Sequence, residues 1–304
     1  MNLYRDTFPA ARCVLACLFR PSFCLPSTNT PQLAAGIFYL RLPTIGRLWP
    51  GLAETANREG WPAERFLSAL TEHELADRAR RRIERHLNEA RLPPGKTLDS
   101  FDFATVPMVS RAHVMALAAN DGWLETGGHI LCFGPPGSGK SHLAAGLGHA
   151  LVENGFRVLF PRTTDLVQRL QVARQALALE AAIAKLDKYH LLILDDLAYV
   201  HKSQAETSVL FELIAARYER RSLLITANQP FKDWGNVFPD PAMTVAAIDR
   251  LVHHSVIFEM NVDSYRRRAA QGRKAKASPA SPELAGSAPL EQRYVTKKTD
   301  AQRP

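Results

Sequence analysis

Residues 134–141 read Gly-Pro-Pro-Gly-Ser-Gly-Lys-Ser, a complete G-x-x-x-x-G-K-[ST] segment. Nothing else in the chain restricts the fold as much. Such a loop holds phosphate only when a buried strand leads into it and a helix leaves it. The ligand is bound by successive backbone N–H groups and by the positive end of that helix. Gly134, Gly137 and Gly139 let the backbone wrap a phosphate without Cβ clashes. Lys140 is expected to reach the β- and γ-phosphates, and the Ser141 hydroxyl to bind Mg²⁺. The flanks meet the requirement, with the apolar run His129–Phe133 before the loop and a helical stretch, Ser141–Glu153, after it. The expected nucleotide-binding set is Gly134, Pro135, Pro136, Gly137, Ser138, Gly139, Lys140, Ser141 and His142, with ATP and Mg²⁺ as cofactors.

Downstream, apolar runs of strand length alternate with helical stretches. Strands are expected at Arg157–Phe160, His190–Leu194, Ser222–Thr226 and Val256–Met260. Between them lie a long helix from Thr163 to about Lys185, a helix Ser203–Arg220 opened by the capping box Ser203-x-x-Glu206, and a helix Thr244–His254. This alternation predicts an α/β fold with a parallel sheet covered by helices on both faces. Parallel strands turn their carboxyl ends to the ligand crevice. The segment LLILDD is then the second half of the site, with Asp195 holding the Mg²⁺ water shell and Asp196 orienting the attacking water. A third apolar run, LLITAN, ends at Asn228. That residue is either a turn former or a group facing the γ-phosphate. Arg250, in Asp249-Arg250-Leu251, is either half of a surface pair or a finger reaching a neighbouring subunit's γ-phosphate. His253 and His254 have no evident co-ligands in sequence and read as packing or surface residues, not as metal ligands.

The N-terminal third has another character. Residues 1–36 lack periodicity and read as an unstructured leader, and residues 37–95 read as a helical arm. Within the arm, Leu75, Ala79, Ile83 and Leu87 recur every four residues, and Arg78, Arg81, Arg82 and Arg85 fall on the opposite face. Glu74, Asp77, Glu84 and Glu89 interleave, so the arginines are either a solvated face or a phosphate-contacting stripe. Leu92-Pro93-Pro94-Gly95 ends the helix, and Lys96–Val106 reads as a linker, with Phe101 and Phe103 around Asp102. The net charge is +8, of which the tail from Arg266 to Pro304 carries +7, with 10 basic and 3 acidic residues. A basic tail rich in Ala, Ser and Pro is expected to be disordered and able to meet polyanions. Three of the four cysteines, Cys13, Cys17 and Cys24, lie in the leader without a zinc spacing, and Cys132 sits in the strand before the loop. No apolar run approaches the ~20 residues needed to span a bilayer, so no membrane partner and a cytoplasmic location are expected.

GPPGSGKSHLA, LLILDDLAYV, LLITANQPFKDW, AAIDRLVHH and MNVDSYR together resemble the IstB-type ATP-binding proteins, helper ATPases encoded beside the transposase of a class of bacterial insertion sequences. The arm ELADRARRRIERHLNEARLPPGKTLDSFDF is similar to their N-terminal region, and the likeness spans about Leu40 to Arg268. It implies an AAA+ P-loop core at residues 96–265, of the branch shared with DnaC-type helicase loaders, followed by the tail 266–304. It also implies ATP-dependent homo-oligomeric assembly on double-stranded DNA, a cognate transposase as partner, and selection or remodelling of target DNA. By the family's motifs, Asp195 becomes the Mg²⁺ aspartate, Asn228 a sensor on the fourth strand and Arg250 an arginine finger. Two departures stand out. Asp196 replaces the usual glutamate, one methylene shorter, and no helical lid domain follows Met260. Three other functions stand beside this one: a replicative helicase loader built on the same core, a small-molecule P-loop kinase, and a protein that binds ATP without hydrolysing it.

Overall fold

The computed structural model describes residues 30–119, 122–197, 204–230, 233–234 and 240–262. The leader up to residue 29 with Cys13, Cys17 and Cys24, the capping residue Ser203, and the basic tail all lie outside the described residues. At the N-terminus come α1 (Thr30–Tyr39), α2 (Pro43–Glu59) and α3 (Ala63–Ala90). Helix α1 therefore begins inside the segment expected to be unstructured. Pro43 starts α2, where a missing N–H costs nothing, and Gly60, at φ 63°, ends it in the left-handed region. Helix α3 stops at Arg91, also left-handed at φ 56°, just before Pro93 and Pro94.

The expected apolar stripe of α3 packs only in its second half. Leu75 is 66 % exposed and Ala79 is exposed, whereas Ile83 and Leu87 pack against the core beside the buried Ala90. Earlier in the helix, Leu70 and Glu74 are the buried residues. At the far end, the Phe160 N–H donates to the Ala90 carbonyl at 2.7 Å, and Arg157 pairs with Glu89 at 2.8 Å. The arm is thus joined to the core by the carboxyl end of α3.

The core holds a five-stranded parallel sheet: β1 (His129–Phe133), β2 (Val158–Leu159), β3 (Leu191–Leu194), β4 (Ser222–Ala227) and β5 (Ser255–Glu259). Its order is β2-β3-β4-β1-β5. Strands β1, β3 and β4 are buried along their whole length, which explains their unbroken apolar sequences. Alternate residues feed two clusters. Leu131, Leu192, Leu194, Leu223 and Ile225 face one side of the sheet, and Ile130, Cys132, Leu191, Ile193 and Leu224 face the other. Each fully buried Leu or Ile contributes roughly 1.5–3 kcal/mol by leaving water.

One face is covered by α6 (Thr163–Gln175), α7 (Leu179–Ala184), α8 (Gln204–Arg217) and α9 (Pro241–Val252). The other is covered by α5 (Lys140–Glu153), α4 (Arg111–Ala118) and the end of α3. The single long helix expected from Thr163 to Lys185 is two helices. Leu177 breaks it with φ 53° and is 97 % exposed. The turn lets Leu179 and Ile183 bury in the same cluster as Leu166 and Leu170, and that burial outweighs the helix propensity of the Ala-rich stretch. Helix α4 and the short 3₁₀ turn Phe103–Thr105 have no counterpart in the sequence reading.

Register brings the site together. Leu194 pairs with Ile225, and Cys132 and Phe133 pair with Thr226 and Ala227. The carboxyl ends of β1, β3 and β4 therefore lie level, and the phosphate loop, Asp195-Asp196 and Asn228 leave the sheet along one edge.

Candidate nucleotide site

Strand β1 delivers the chain into the loop, and α5 leaves it at Lys140. Gly134 has φ 151°, and a Cβ there would lie 2.4 Å from the Met260 carbonyl oxygen. Gly139 has φ 102°, and a Cβ there would press to 3.2 Å from the Phe101 ring. A larger residue would push the loop off the Met260 backbone at position 134 and would strain the left-handed backbone at position 139. Lys140 is only 4 % exposed, and its ammonium donates to the carbonyls of Gly134 at 2.8 Å and Pro135 at 3.0 Å. The loop's own carbonyls thus hold the cation beside the N-terminus of α5, where an anion gains from the helix dipole.

The acidic strand end is tied to the loop by hydroxyls. Asp195 Oδ1 accepts from Ser141 Oγ at 2.8 Å and from Thr226 Oγ1 at 2.6 Å. Its backbone carbonyl accepts from Thr163 Oγ1 at 2.7 Å. Thr226 in turn accepts from the Asp196 N–H at 2.9 Å. Asp196 has φ 54°, and its Oδ1 accepts from Asn228 Nδ2 at 3.4 Å. One polar chain therefore runs from Ser141 through Asp195, Thr226 and Asp196 to Asn228, across the ends of β3 and β4.

Beside it lies a cavity of about 510 Å³, lined by the loop from Pro136 to His142, by Asp196 and Asn228, and by Lys96, Phe101 and Asp102. This volume is in the range of small-molecule sites. The segment expected to be a linker is thus one wall of the cavity. Phe101 meets His142 edge to face at 5.4 Å and Phe103 at 4.8 Å. His142 Nε2 lies 3.0 Å from Ser100 Oγ and 3.2 Å from the Thr97 carbonyl. Its imidazole therefore turns to the 96–106 segment. Burial pushes its pKa below the ordinary value against the pull of the Thr97 carbonyl, and Lys96 adds to the lowering. Near the carboxyl end of β1, burial pushes the Cys132 thiol up to about 12, which fits a packing residue.

Sequence reasoning missed Thr226 and Thr163, which look like ordinary β-branched and capping residues in sequence. It also missed the wall at Lys96, Phe101 and Asp102, although the Phe101–Phe103 pair was a visible signal. Arg250 does not line this cavity. Its guanidinium donates to the Ala246 carbonyl at 2.8 Å and lies 5.3 Å from the Phe211 ring centre on α8.

The four arm arginines are not equivalent. Glu74 is buried and accepts from the Thr44 and Ile45 N–H groups at 2.9 and 3.1 Å and from Arg78 Nε at 2.9 Å. Burial pushes its carboxyl up, but these hydrogen bonds outweigh the push and hold it below the usual value. Asp77 is held down at about 2 by the Thr44 hydroxyl and by Arg80. Arg81 reaches Asp77 at 3.2 Å and Glu74 at 3.4 Å. Arg78 and Arg81 therefore spend their charge inside the α2–α3 hairpin. Among the described residues, Arg82 and Arg85 make no ion pair.

Residues 35–273 match the family model described as IstB-like ATP binding protein. The chain is 75 % identical over 235 residues to an insertion sequence ATP-binding protein of Sinorhizobium fredii, covering 77 % of this chain and 79 % of that one. It is 38 % identical over 215 residues to the insertion sequence IS21 ATP-binding protein of Pseudomonas aeruginosa, covering 71 % and 81 %. Among solved structures it is similar to the DnaC helicase loader, with a TM-score of 0.46 and 23 % identity over 58 % of this chain and 99 % of that one. No helix among the described residues is long and apolar enough to cross a membrane. A phosphate loop, an acidic strand end and the cavity between them, in a chain whose relatives carry an ATP-binding name, lead to one conclusion: the chain belongs to the IstB-like ATP-binding protein family.

Proposed function

We propose that this protein hydrolyses ATP in the cavity at the sheet edge and uses the cycle to assemble on duplex DNA as the helper of an insertion-sequence transposase. The observation that carries the reading is the chain of hydrogen bonds from Ser141 through Asp195 and Thr226 to Asp196 and Asn228. It couples the loop that would hold phosphate to the groups that would handle water. Lys140 exchanges its loop carbonyls for β- and γ-phosphate oxygens, a charge-assisted contact. Ser141 Oγ and Asp195 Oδ1, 2.8 Å apart, form a hard oxygen pair that suits Mg²⁺ or its water shell. When bound, the ion neutralises charge building up on the transferred phosphoryl group. Asp196 accepts a hydrogen bond from the attacking water, and the Asn228 amide steadies that carboxylate. The 96–106 segment closes the cavity beside the loop.

Arg250 stands on α9 away from its own subunit's cavity, which suits a finger acting on a neighbour's γ-phosphate. On this reading the hydrolytic site is completed between copies. Contact with DNA falls on Arg82 and Arg85, with the basic tail, because Arg78 and Arg81 are engaged by Glu74 and Asp77. Such contacts go to phosphates and carry no base readout. The names of the two sequence relatives, both insertion-sequence proteins, support the transposase as partner.

The test is duplex binding with ATP, ADP or a non-hydrolysable ATP analogue at several salt concentrations. Tight binding that needs the triphosphate and weakens steeply with salt supports the reading. Equal affinity with and without nucleotide overturns the coupling.

A further inference from the structure

At the opposite edge of the sheet, two turns meet that the nucleotide site does not use. One follows α8 and carries Tyr218 and Glu219 into β4, and the other follows α9 and carries His253 and His254 into β5. The two parts of the chain are more than thirty residues apart in sequence, and β1 lies between the strands they feed. We propose that Glu219, His253 and His254 form a binding site for a divalent transition-metal ion of the zinc class.

The donors already converge. One ligand atom from each of the three residues lies within 4.8 Å of the others. The Glu219 carboxylate oxygen Oε1 is 3.8 Å from His253 Nδ1 and 3.8 Å from His254 Nε2. Donors around a tetrahedral zinc ion with bonds of ~2.0–2.1 Å stand roughly 3.3 Å apart. The contraction needed is small and falls on side chains that are about half exposed, so they are free to make it and the ion is free to enter. The Tyr218 hydroxyl, 2.6 Å from His253 Nδ1, gives up that hydrogen bond when the ion takes the nitrogen's lone pair, and its oxygen then stands beside the trio as a fourth ligand.

The backbone beneath is held in place. The His254 carbonyl accepts from the His129 N–H at 2.7 Å, and the His253 N–H donates to the Asp249 carbonyl at 3.1 Å. On the other turn, a Cβ at Gly127 would fall 2.8 Å from the Glu219 carbonyl carbon, so that turn packs directly on the segment before β1. An ion therefore orders three side chains and little else.

Two imidazoles and one carboxylate choose the metal. Mg²⁺ and Ca²⁺ prefer all-oxygen shells, whereas imidazole suits zinc, copper and nickel. Bound there, the ion staples the ends of α8 and α9 to each other across the amino end of β1, and it stabilises the fold by mass action.

The experiment is a Co²⁺ titration of the full chain, stripped with chelator and free of nucleotide, followed by visible absorption. One equivalent should give the bands of a four- or five-coordinate ion. Zn²⁺ should displace it, and a large excess of Mg²⁺ should not. Glu219→Gln, His253→Ala and His254→Ala should each weaken binding by about tenfold or more. Each variant, in chelator, should unfold at the parent's midpoint, since the side chains are exposed. Zn²⁺ should raise the parent's midpoint and leave that of the His253→Ala/His254→Ala double variant unchanged. Unchanged Co²⁺ affinity in the double variant would overturn the site. So would thiolate bands that persist in it, which would put the ion on the leader cysteines, or no saturable binding by the parent up to about 100 μM, far above the range of a structural site.

Discussion

The carboxyl edge of the sheet and the α2–α3 hairpin both gather charged residues at close spacing, and they do so by opposite means. At the sheet edge, Asp195 and Asp196 project from a strand whose four residues are fully buried and whose register is set by two neighbours. Their positions are fixed by roughly the same packing that holds the fold together. On the hairpin, Arg78, Arg80 and Arg81 take positions offered by Glu74, Asp77 and Glu84, mostly on an exposed helix surface. Pairs of that kind are screened by water and add little to stability. The contrast teaches where a charged motif can be trusted. A motif at the end of a buried strand has little freedom to be anything else, whereas a charge stripe on a helix can be absorbed by carboxylates one turn away.

The largest effect should come from the loop. Lys140→Ala removes the buried ammonium that Gly134 and Pro135 hold in place. ATP affinity should fall by ~100-fold or more, the scale of losing a charge-assisted contact to phosphate. Titration with a fluorescent ATP analogue reads it, and parental affinity would remove the loop from the site. Thr226→Val comes next. It keeps shape but takes one donor from Asp195 and the acceptor from the Asp196 N–H. Two groups in a buried setting lose partners, so denaturant unfolding should show a loss of ~1–3 kcal/mol. A neutral result would mean that water replaces the hydroxyl and that the polar chain is not continuous.

The smallest effects should separate the arginines. Arg82→Ala/Arg85→Ala should flatten the slope of log affinity for duplex DNA against log salt by about two and leave stability within about 0.5 kcal/mol. Arg78→Ala/Arg81→Ala should do the reverse. It strips the buried Glu74 of its cationic partners, so unfolding should show a loss of ~1–2 kcal/mol with little change in the slope. Equal behaviour of the two pairs would mean that the stripe acts as one surface, and the contrast with the sheet edge would weaken.

The same contrast explains what was legible in the amino-acid sequence. Strands β1, β3 and β4 could be read from their apolar runs because every residue in them is buried, and the loop, Asp195 and Asp196 could be located because they follow those strands. The break at Leu177 was hidden, since local propensity favours helix there and only the demand to bury Leu179 and Ile183 turns the chain. Thr226 looks like any β-branched strand residue until the register sets it beside Asp195. The wall formed by Lys96, Phe101 and Asp102 depends on a loop returning to a distant loop, and no periodicity records that. The division of labour among the four arginines was equally invisible, because spacing shows which side chains share a face and not which carboxylate has buried itself among them.

The most direct test of the central claim is single-turnover hydrolysis by Asp196→Asn measured beside its ATP affinity. The substitution keeps the size of the side chain and its place next to Asn228, and removes only the negative charge. ATP should bind as tightly as to the parent while the rate falls by about 100-fold, the usual worth of a positioned general base. An unchanged rate on saturated protein would contradict the claim and move the activation of water to another residue.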